Sequence, residues 1–404
     1  MPSSRRAALA CAALLLSTAA YAQAQRRRVE AETQLKPQRV ALADGRSFNL
    51  NLPEGFRLAV AAEGLKRVRF MSLAPDGRVF VTDMHDLTDN RKGVVYVLDQ
   101  FDPARRKFLK VTPYMSKLRN PNSVAFYTDE RGRDWFYLAL TDSLVRYRYV
   151  RGADAPSGEP EVLATFPDYG LDYKYGGWHL TRTLAFGGGK LYVSVGSSCN
   201  ACLEKEDVRA TVIEMNPDGT GRRFYARGLR NAVGLRWVGD QLYATDMAAD
   251  HLGKDKPADT MYALQAGTNY GWPFCYQSGP RVFADPEFNP RGRKFRCRGV
   301  PAALAAFDAH SAPLGLEHFG ADWPSELSNS FLVALHGSTN KSIGRGYRVV
   351  RVPEAGGAPA DFINGFLQAG KVYGRPADIF RYGPGFGFLL TDDRAGVIYY
   401  VYKR

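Results

Sequence analysis

The sequence predicts an all-β chain folded as a six-bladed β-propeller. Three observations carry that prediction. The chain has 404 residues, 45% hydrophobic and 24% charged, a globular balance with enough length to bury a large core. It combines 40 Gly and 23 Pro with 22 Tyr and 23 Phe, frequent turns among residues that favour strands. A hairpin-like unit recurs about six times, roughly every 60 residues, and long stretches of helical periodicity are missing.

The units run in order along the chain. Each is a β-rich run, a Gly-containing or polar turn, and a second β-rich run ending in small or acidic residues. The first spans 71–83, MSLAPDGRVFVTD, and the second pairs SVAF at 123–126 with WFYLALTD at 135–142. The third is TLAFGGGKLYVSVG at 183–196, and the fourth GLRWVGDQLYATD at 234–246. A diverged fifth joins LGL at 314–316 to FLVAL at 331–335, and the sixth is IFRYGPGFGFLLTD at 379–392. Repeated antiparallel hairpins close most economically as a ring, because radial closure protects the sheet edges. Two β-sandwich domains are the alternative. The even spacing and the lack of a Pro/Gly/Ser-rich linker argue against them. The expected organisation is a leader at 1–24, an extended lead-in at 25–49 and one propeller domain at 50–404.

Residues 1–24 read as a bacterial-type secretory signal. It has Arg5 and Arg6, an Ala/Leu-rich run over 7–20, then small-residue cleavage options ending at Ala22 and Ala24. The mature protein is expected in the periplasm. No apolar run reaches the roughly 20 residues of a spanning helix. Export removes Cys11 and leaves Cys199, Cys202, Cys275 and Cys297, an even set suited to two disulfides between neighbours in sequence. A redox CxxC or half of a zinc site is the other reading of Cys199 and Cys202. The net charge is +13, but apart from Arg26, Arg27 and Arg28 the basic residues are dispersed, which speaks against a nucleic-acid stripe.

In a propeller, function sits in loops at one end of the channel. His179 and Arg182 lie in YGGWHLTRTLAFG at 175–187, just before an inner strand, and histidine is the usual base near neutral pH. Arg230 and Asn231 occupy the same place before the next hairpin, and a guanidinium forks onto carboxylates. The following loop carries Asp246, Asp250, Asp255 and Asp259, oxygen donors suited to Ca²⁺, without the EF-hand spacing. His310 and His336 each stand at a strand–loop junction, and Arg375 precedes the last hairpin.

Taken in order, GWHLTRTLAFGGGKLYVSVGSSCNAC, GLRNAVGLRW, TNYGWPFC, HSAPLGL, ALHGS and GRPAD resemble the sorbosone dehydrogenase group, related to soluble quinoprotein glucose dehydrogenase and the aldose sugar dehydrogenases. The resemblance covers about residues 54–402. It implies a dehydrogenase for a sugar or related polyhydroxy alcohol or aldehyde. The cofactors implied are pyrroloquinoline quinone (PQQ) and Ca²⁺, with hydride passing to the quinone. Electrons would leave to an external acceptor such as a cytochrome or a quinone. His179 would be the catalytic base. Arg182, Arg230, Asn231, His310, His336 and Arg375 would bind the cofactor, and Ala248, Ala249 and Asp259 the metal. The chain departs from the pattern at Met247-Ala248-Ala249, where relatives usually carry an Asn-Gly type turn, and at Thr339, where they tend to carry Trp. Two other classes fit the scaffold: a Ca²⁺-dependent lactonase-type hydrolase, and a non-catalytic propeller that binds an envelope partner or glycan.

Overall fold

The computed structural model describes residues 34–168, 179–340 and 342–404. Six blades, each built on a four-stranded antiparallel sheet, stand around a ring; in the third the short strand Thr268–Asn269 adds a fifth, parallel to the outer strand. From the innermost strand outward, blade 1 is Val68–Leu73, Val79–Asp83, Gly93–Asp102 and Lys107–Leu118. Blade 2 is Ser123–Thr128, Asp134–Ala139, Ser143–Arg148 and Ser157–Thr165. Blade 3 is Arg182–Gly187, Lys190–Val195, Thr211–Met215 and Arg223–Arg227. Blade 4 is Ala232–Val238, Gln241–Asp246, Asp259–Leu264 and Ala305–Phe307. Blade 5 is Pro313–Phe319, Ser330–Leu335, Arg348–Pro353 and Ala360–Ile363. Blade 6 is Pro376–Arg381, Gly387–Asp392 and Val397–Lys403, and its outer strand is Phe56–Ala62 from the other end of the chain. That pairing closes the ring by locking the two ends of the propeller together. All six hairpins expected from the sequence are the two inner strands of their blades. Among the described residues no helix is long and apolar enough to cross a membrane.

The expected leader at 1–24 lies outside the described residues. The boundary expected near residue 50 falls inside a strand, because Leu35–Ala41 and Ser47–Pro53 form a hairpin. Its inward face, Val40, Phe48, Leu50 and Leu52, shares one cluster with Phe319, Phe362, Phe366 and Phe388 of the last two blades. Aromatic rings knit blades 1 and 2 together. Phe80 meets Tyr114 and Phe126 edge-on, each at 4.9 Å between centroids. Such pairs add to the roughly 1.5–3 kcal/mol that burying each large side chain contributes.

The recurrent Thr-Asp has a mechanical role. The inner strand bulges at one level in blades 1, 4, 5 and 6. In blades 1, 4 and 6 the Thr hydroxyl accepts the amide freed by the bulge: Phe70 N–H to Thr82 at 3.1 Å, Gly234 to Thr245 at 2.9 Å, Asp378 to Thr391 at 2.8 Å. The same hydroxyl donates to the next blade, at Asn122 O, Leu314 O and Arg69 O respectively. The Asp that follows accepts amides of the crossover before its own inner strand. Asp83 holds Lys66 and Arg67, Asp246 holds Arg230 and Asn231, and Asp392 holds Arg375. Close approach demands Gly at 234, where a Cβ would stand 2.1 Å from Leu314 O. Blade 2 differs. Its second strand ends at Ala139, so Thr141 and Asp142 lie past it, and Asp142 pairs with Arg119 at 2.9 Å instead.

Phe70, Val233, Leu314 and Ala377, from four inner strands, form an apolar cluster on the channel wall with Met247 packed against it. Next to it Asp378 is fully buried. One carboxylate oxygen accepts the Met71 amide at 2.9 Å, and the other has no hydrogen-bond partner among the described residues. Burial, only partly opposed by Arg236, pushes its pKa up to about 7. A carboxyl raised in this way stabilises the fold below its unfolded value, and that contribution fades as pH rises through the folded value. Asp378→Asn is therefore expected to gain on the wild type as pH rises from 5 to 7, by roughly 1.4 kcal/mol per pH unit. Thermal unfolding of both proteins across that range checks it, and a gap that does not change with pH would contradict it.

Candidate active site

The chain passes from the outer strand of one blade to the inner strand of the next at one end of the ring, and the loop after each second strand lies at that same end. Every candidate catalytic, cofactor-binding or metal residue named from the sequence lies there. They fall into two groups.

The first group belongs to blades 3 and 4. His179 adopts a left-handed backbone, φ 53°. Its Nδ1 faces Ser197 O at 2.9 Å and Ser197 Oγ at 3.0 Å. A carbonyl only accepts, so Nδ1 carries the proton and Nε2 the lone pair. Burial first, and then the Arg230 charge, holds the ring well below the ordinary histidine value, so it is neutral at pH 7. Arg182 donates to His179 O and Thr181 O, both at 2.8 Å. Asn231 meets His179 over Gly196, where a Cβ would lie 2.5 Å from Asn231 Oδ1 and 2.6 Å from His179 Cβ. Arg230 is nine-tenths buried and donates to Asn200 O, Asn200 Oδ1 and Met247 O.

The acidic loop is folded back on its own backbone. Asp259 is buried, and its two oxygens accept Ala248 N–H at 2.7 Å and Ala312 N–H at 2.8 Å. Burial pushes its pKa up to about 6. His310 clasps the same loop, with Nδ1 at 2.8 Å from Asp250 and Nε2 at 2.9 Å from Gly253 O.

The second group joins blades 5, 6 and 1. His336 Nε2 lies 2.8 Å from Asp393, and its Nδ1 lies 3.4 Å from Arg375 Nη1. Arg375 also donates to Ser338 O and to the Tyr347 hydroxyl. Arg67 and Arg69 meet the same Asp393, at 3.1 and 3.0 Å. Burial would raise Asp393, but His336, Arg69 and Arg67 hold it well below the usual carboxylate range. Burial also wins at His336, pushing it down to about 4 against the pull of Asp393. A neutral ring that donates from Nε2 and accepts at Nδ1 satisfies both neighbours.

Two groups could be held here, and the residues can be tested against each. Arg182 is almost completely buried, its Nε has no hydrogen-bond partner among the described residues, and burial lowers its pKa to about 9. A buried cation with an unpartnered Nε fits a planar polycarboxylate. For a dication the donors are the Asp259 carboxylate and the Ala248 and Ala249 carbonyls. No hydrogen bond from a described residue reaches either carbonyl. These are hard oxygens of the kind calcium takes, three of the usual six to eight.

A family model described as TrAA12-like matches residues 50–365, most of the chain. The chain belongs to the TrAA12-like family. This TrAA12-like propeller also resembles solved structures. The holo PQQ domain of pyranose dehydrogenase from Coprinopsis cinerea is 19% identical, with a TM-score of 0.67 over 88% of this chain and 97% of that one. The calcium structure of the family AA12 enzyme of Trichoderma reesei is 16% identical, with a TM-score of 0.70 over 92% and 99%. The soluble aldose sugar dehydrogenase of Escherichia coli, in its apo form, is 13% identical, with a TM-score of 0.61 over 86% and 100%. An uncharacterized protein of Borreliella burgdorferi is 29% identical over 223 residues, 53% of this chain and 57% of that protein. The chain thus spans little more than half the length of that curated relative. The resemblance read from the motifs is borne out at the level of the family.

The motifs missed several residues of this TrAA12-like site. Ser197 and Asn200, which hold His179 and Arg230, lie inside a quoted motif but carry no signal of their own. Asp393 follows the last Thr-Asp, and a second acid there was the available clue. Arg69 is one more basic residue within a strand. Both disulfides are present, Cys199–Cys202 and Cys275–Cys297.

Proposed function

We propose that this chain is a PQQ-dependent dehydrogenase that oxidises a sugar or related polyhydroxy alcohol or aldehyde. Electrons pass to an external acceptor such as a cytochrome or a quinone, and residues 1–24 export the protein to the periplasm. One observation carries the reading. A neutral histidine with its lone pair on Nε2 stands with two buried arginines, Arg182 and Arg230, in a chain of the TrAA12-like family.

PQQ, when bound, supplies the two-electron acceptor. The chain supplies the rest. Arg182, Arg230 and Arg375 place positive charge where a polycarboxylate would lie, and Asn231 adds an amide. His179 Nε2 takes the proton from the substrate hydroxyl as it is oxidised. Ser197 keeps the ring in the tautomer that does so. His336 orients Arg375 through Nδ1. His310, with both nitrogens spent on the acidic loop, would meet the cofactor only through its ring face. Asp259, Ala248 and Ala249 would hold Ca²⁺.

The test is a titration of the purified protein with PQQ and Ca²⁺, followed in the visible spectrum. A panel of aldoses, sorbosone and polyols is then added with a dye acceptor. Saturable binding and dye reduction by any panel member support the reading. No binding at micromolar PQQ, with an intact β spectrum, overturns it and leaves a binding propeller. Lactone hydrolysis without PQQ would favour the hydrolase class. Chelation with EDTA is expected to weaken PQQ binding, and unchanged affinity in a metal-free preparation would remove the dication.

A further inference from the structure

The candidate base and the candidate anchor are held by one short loop, between the second and third strands of blade 3. Ser197 Oγ lies 3.0 Å from His179 Nδ1 and donates to Cys199 O at 2.7 Å. Asn200 takes the Arg230 guanidinium with two oxygens, its backbone O on Nε at 2.7 Å and its Oδ1 on Nη2 at 3.0 Å. The same Oδ1 accepts the Asp250 amide at 3.0 Å, which ties in the acidic loop. Glu204 closes the loop from the other side, accepting the amide of Ser198 at 2.7 Å and its hydroxyl at 2.6 Å.

Asn200 lies inside the ring closed by the Cys199–Cys202 disulfide. The entropic stabilisation from a cross-link grows with the loop it closes. This one joins residues only 3 apart, against 22 for Cys275–Cys297. It therefore adds little to global stability. What it restricts is the backbone and side-chain freedom of a residue that must aim two oxygens at one guanidinium. Both cysteines are partly exposed, within reach of a small reductant.

We infer that the Cys199–Cys202 ring is the positioning element for Arg230 and His179, with Asn200 as the positioning residue, and that opening it with a dithiol loosens cofactor binding. In that reaction the S–S bond breaks and each sulfur gains an electron and a proton. The dithiol supplies both pairs and closes its own disulfide. The positioning half stands on the geometry, and the cofactor half rests on the PQQ reading.

The experiment uses the full chain without cofactor and reads amide hydrogen exchange. Cys199→Ser/Cys202→Ser and Asn200→Ala are expected to speed exchange at Asp250 and at 228–231 on the order of tenfold, the worth of one hydrogen bond to a charged group. Asn200→Asp keeps an acceptor at the same place and is expected to restore slow exchange. Faster exchange confined to 197–204 would overturn the proposal, because the ring would then be only a local staple. If the double variant fails to fold, the two Asn200 variants decide alone. PQQ titration then reads the second half: Asn200→Ala and dithiol-treated wild type should bind on the order of tenfold more weakly. Unchanged affinity in both overturns that half. Failure of the untreated wild type to bind PQQ sinks the functional reading and leaves the exchange result to judge this one.

Discussion

His179→Ala is expected to lower kcat by about 10²- to 10⁴-fold, the usual contribution of a positioned base, while PQQ binding changes little. The separation follows from the site. His179 sets Nδ1 against Ser197; on the proposed reading its Nε2 takes the substrate proton, and Arg182, Arg230 and Arg375 supply the charge for the cofactor. The backbone O of His179, which takes Arg182 at 2.8 Å, survives the substitution. The variant should therefore fold, and PQQ titration with stopped-flow reduction would resolve binding from chemistry. The pH profile offers a second reading. Burial keeps the ring neutral far into the acid range, so the acid limb of wild-type kcat should lie below the ordinary histidine value. Equal losses in PQQ affinity and kcat would assign His179 to binding and remove it as the base.

Asp393→Asn is expected to cost about 3–5 kcal/mol of stability, because it leaves buried cations without their counter-charge. Asp393 is fully buried and meets Arg67, Arg69 and His336 together, and Arg69 is itself nine-tenths buried. Asparagine keeps the shape and loses the charge. Urea unfolding with circular dichroism would measure the effect, and a loss below about 1 kcal/mol would mean that water or a rearranged Arg69 replaces the carboxylate. The variant should also disturb Arg375, which reaches this carboxylate only through His336. Weaker PQQ binding at temperatures where the variant is folded would show that second effect.

The fold was legible because its signal is repeated. Six copies of a two-residue periodicity with turn residues between them survive the divergence of any one copy, as the fifth hairpin shows. The repeat misled where a local likeness stood in for register. Thr141 and Asp142 look like the other Thr-Asp pairs, but the strand ends two residues earlier and Asp142 answers to Arg119. The described part of the lead-in is extended, as strand, and alternate residues of 35–53 cover the last blades, which its polarity did not announce. Alternation over so few residues is a weak signal until there is a surface to cover.

The sequence by itself determined the ring of six blades and the end of the ring at which the polar residues gather. Period, parity and the order of motifs are properties of the chain, and they need no knowledge of distant contacts. Only the tertiary structure decided which polar groups act on one another. It set the tautomer of His179 through Ser197, joined Arg69 to Asp393 across 324 positions of sequence, and set one amide on each oxygen of Asp259. Those outcomes depend on burial and on angstrom-scale direction, which strengthen or cancel a charge according to what stands beside it. A sequence names the groups, and the closed ring sets the distances that give them their chemistry.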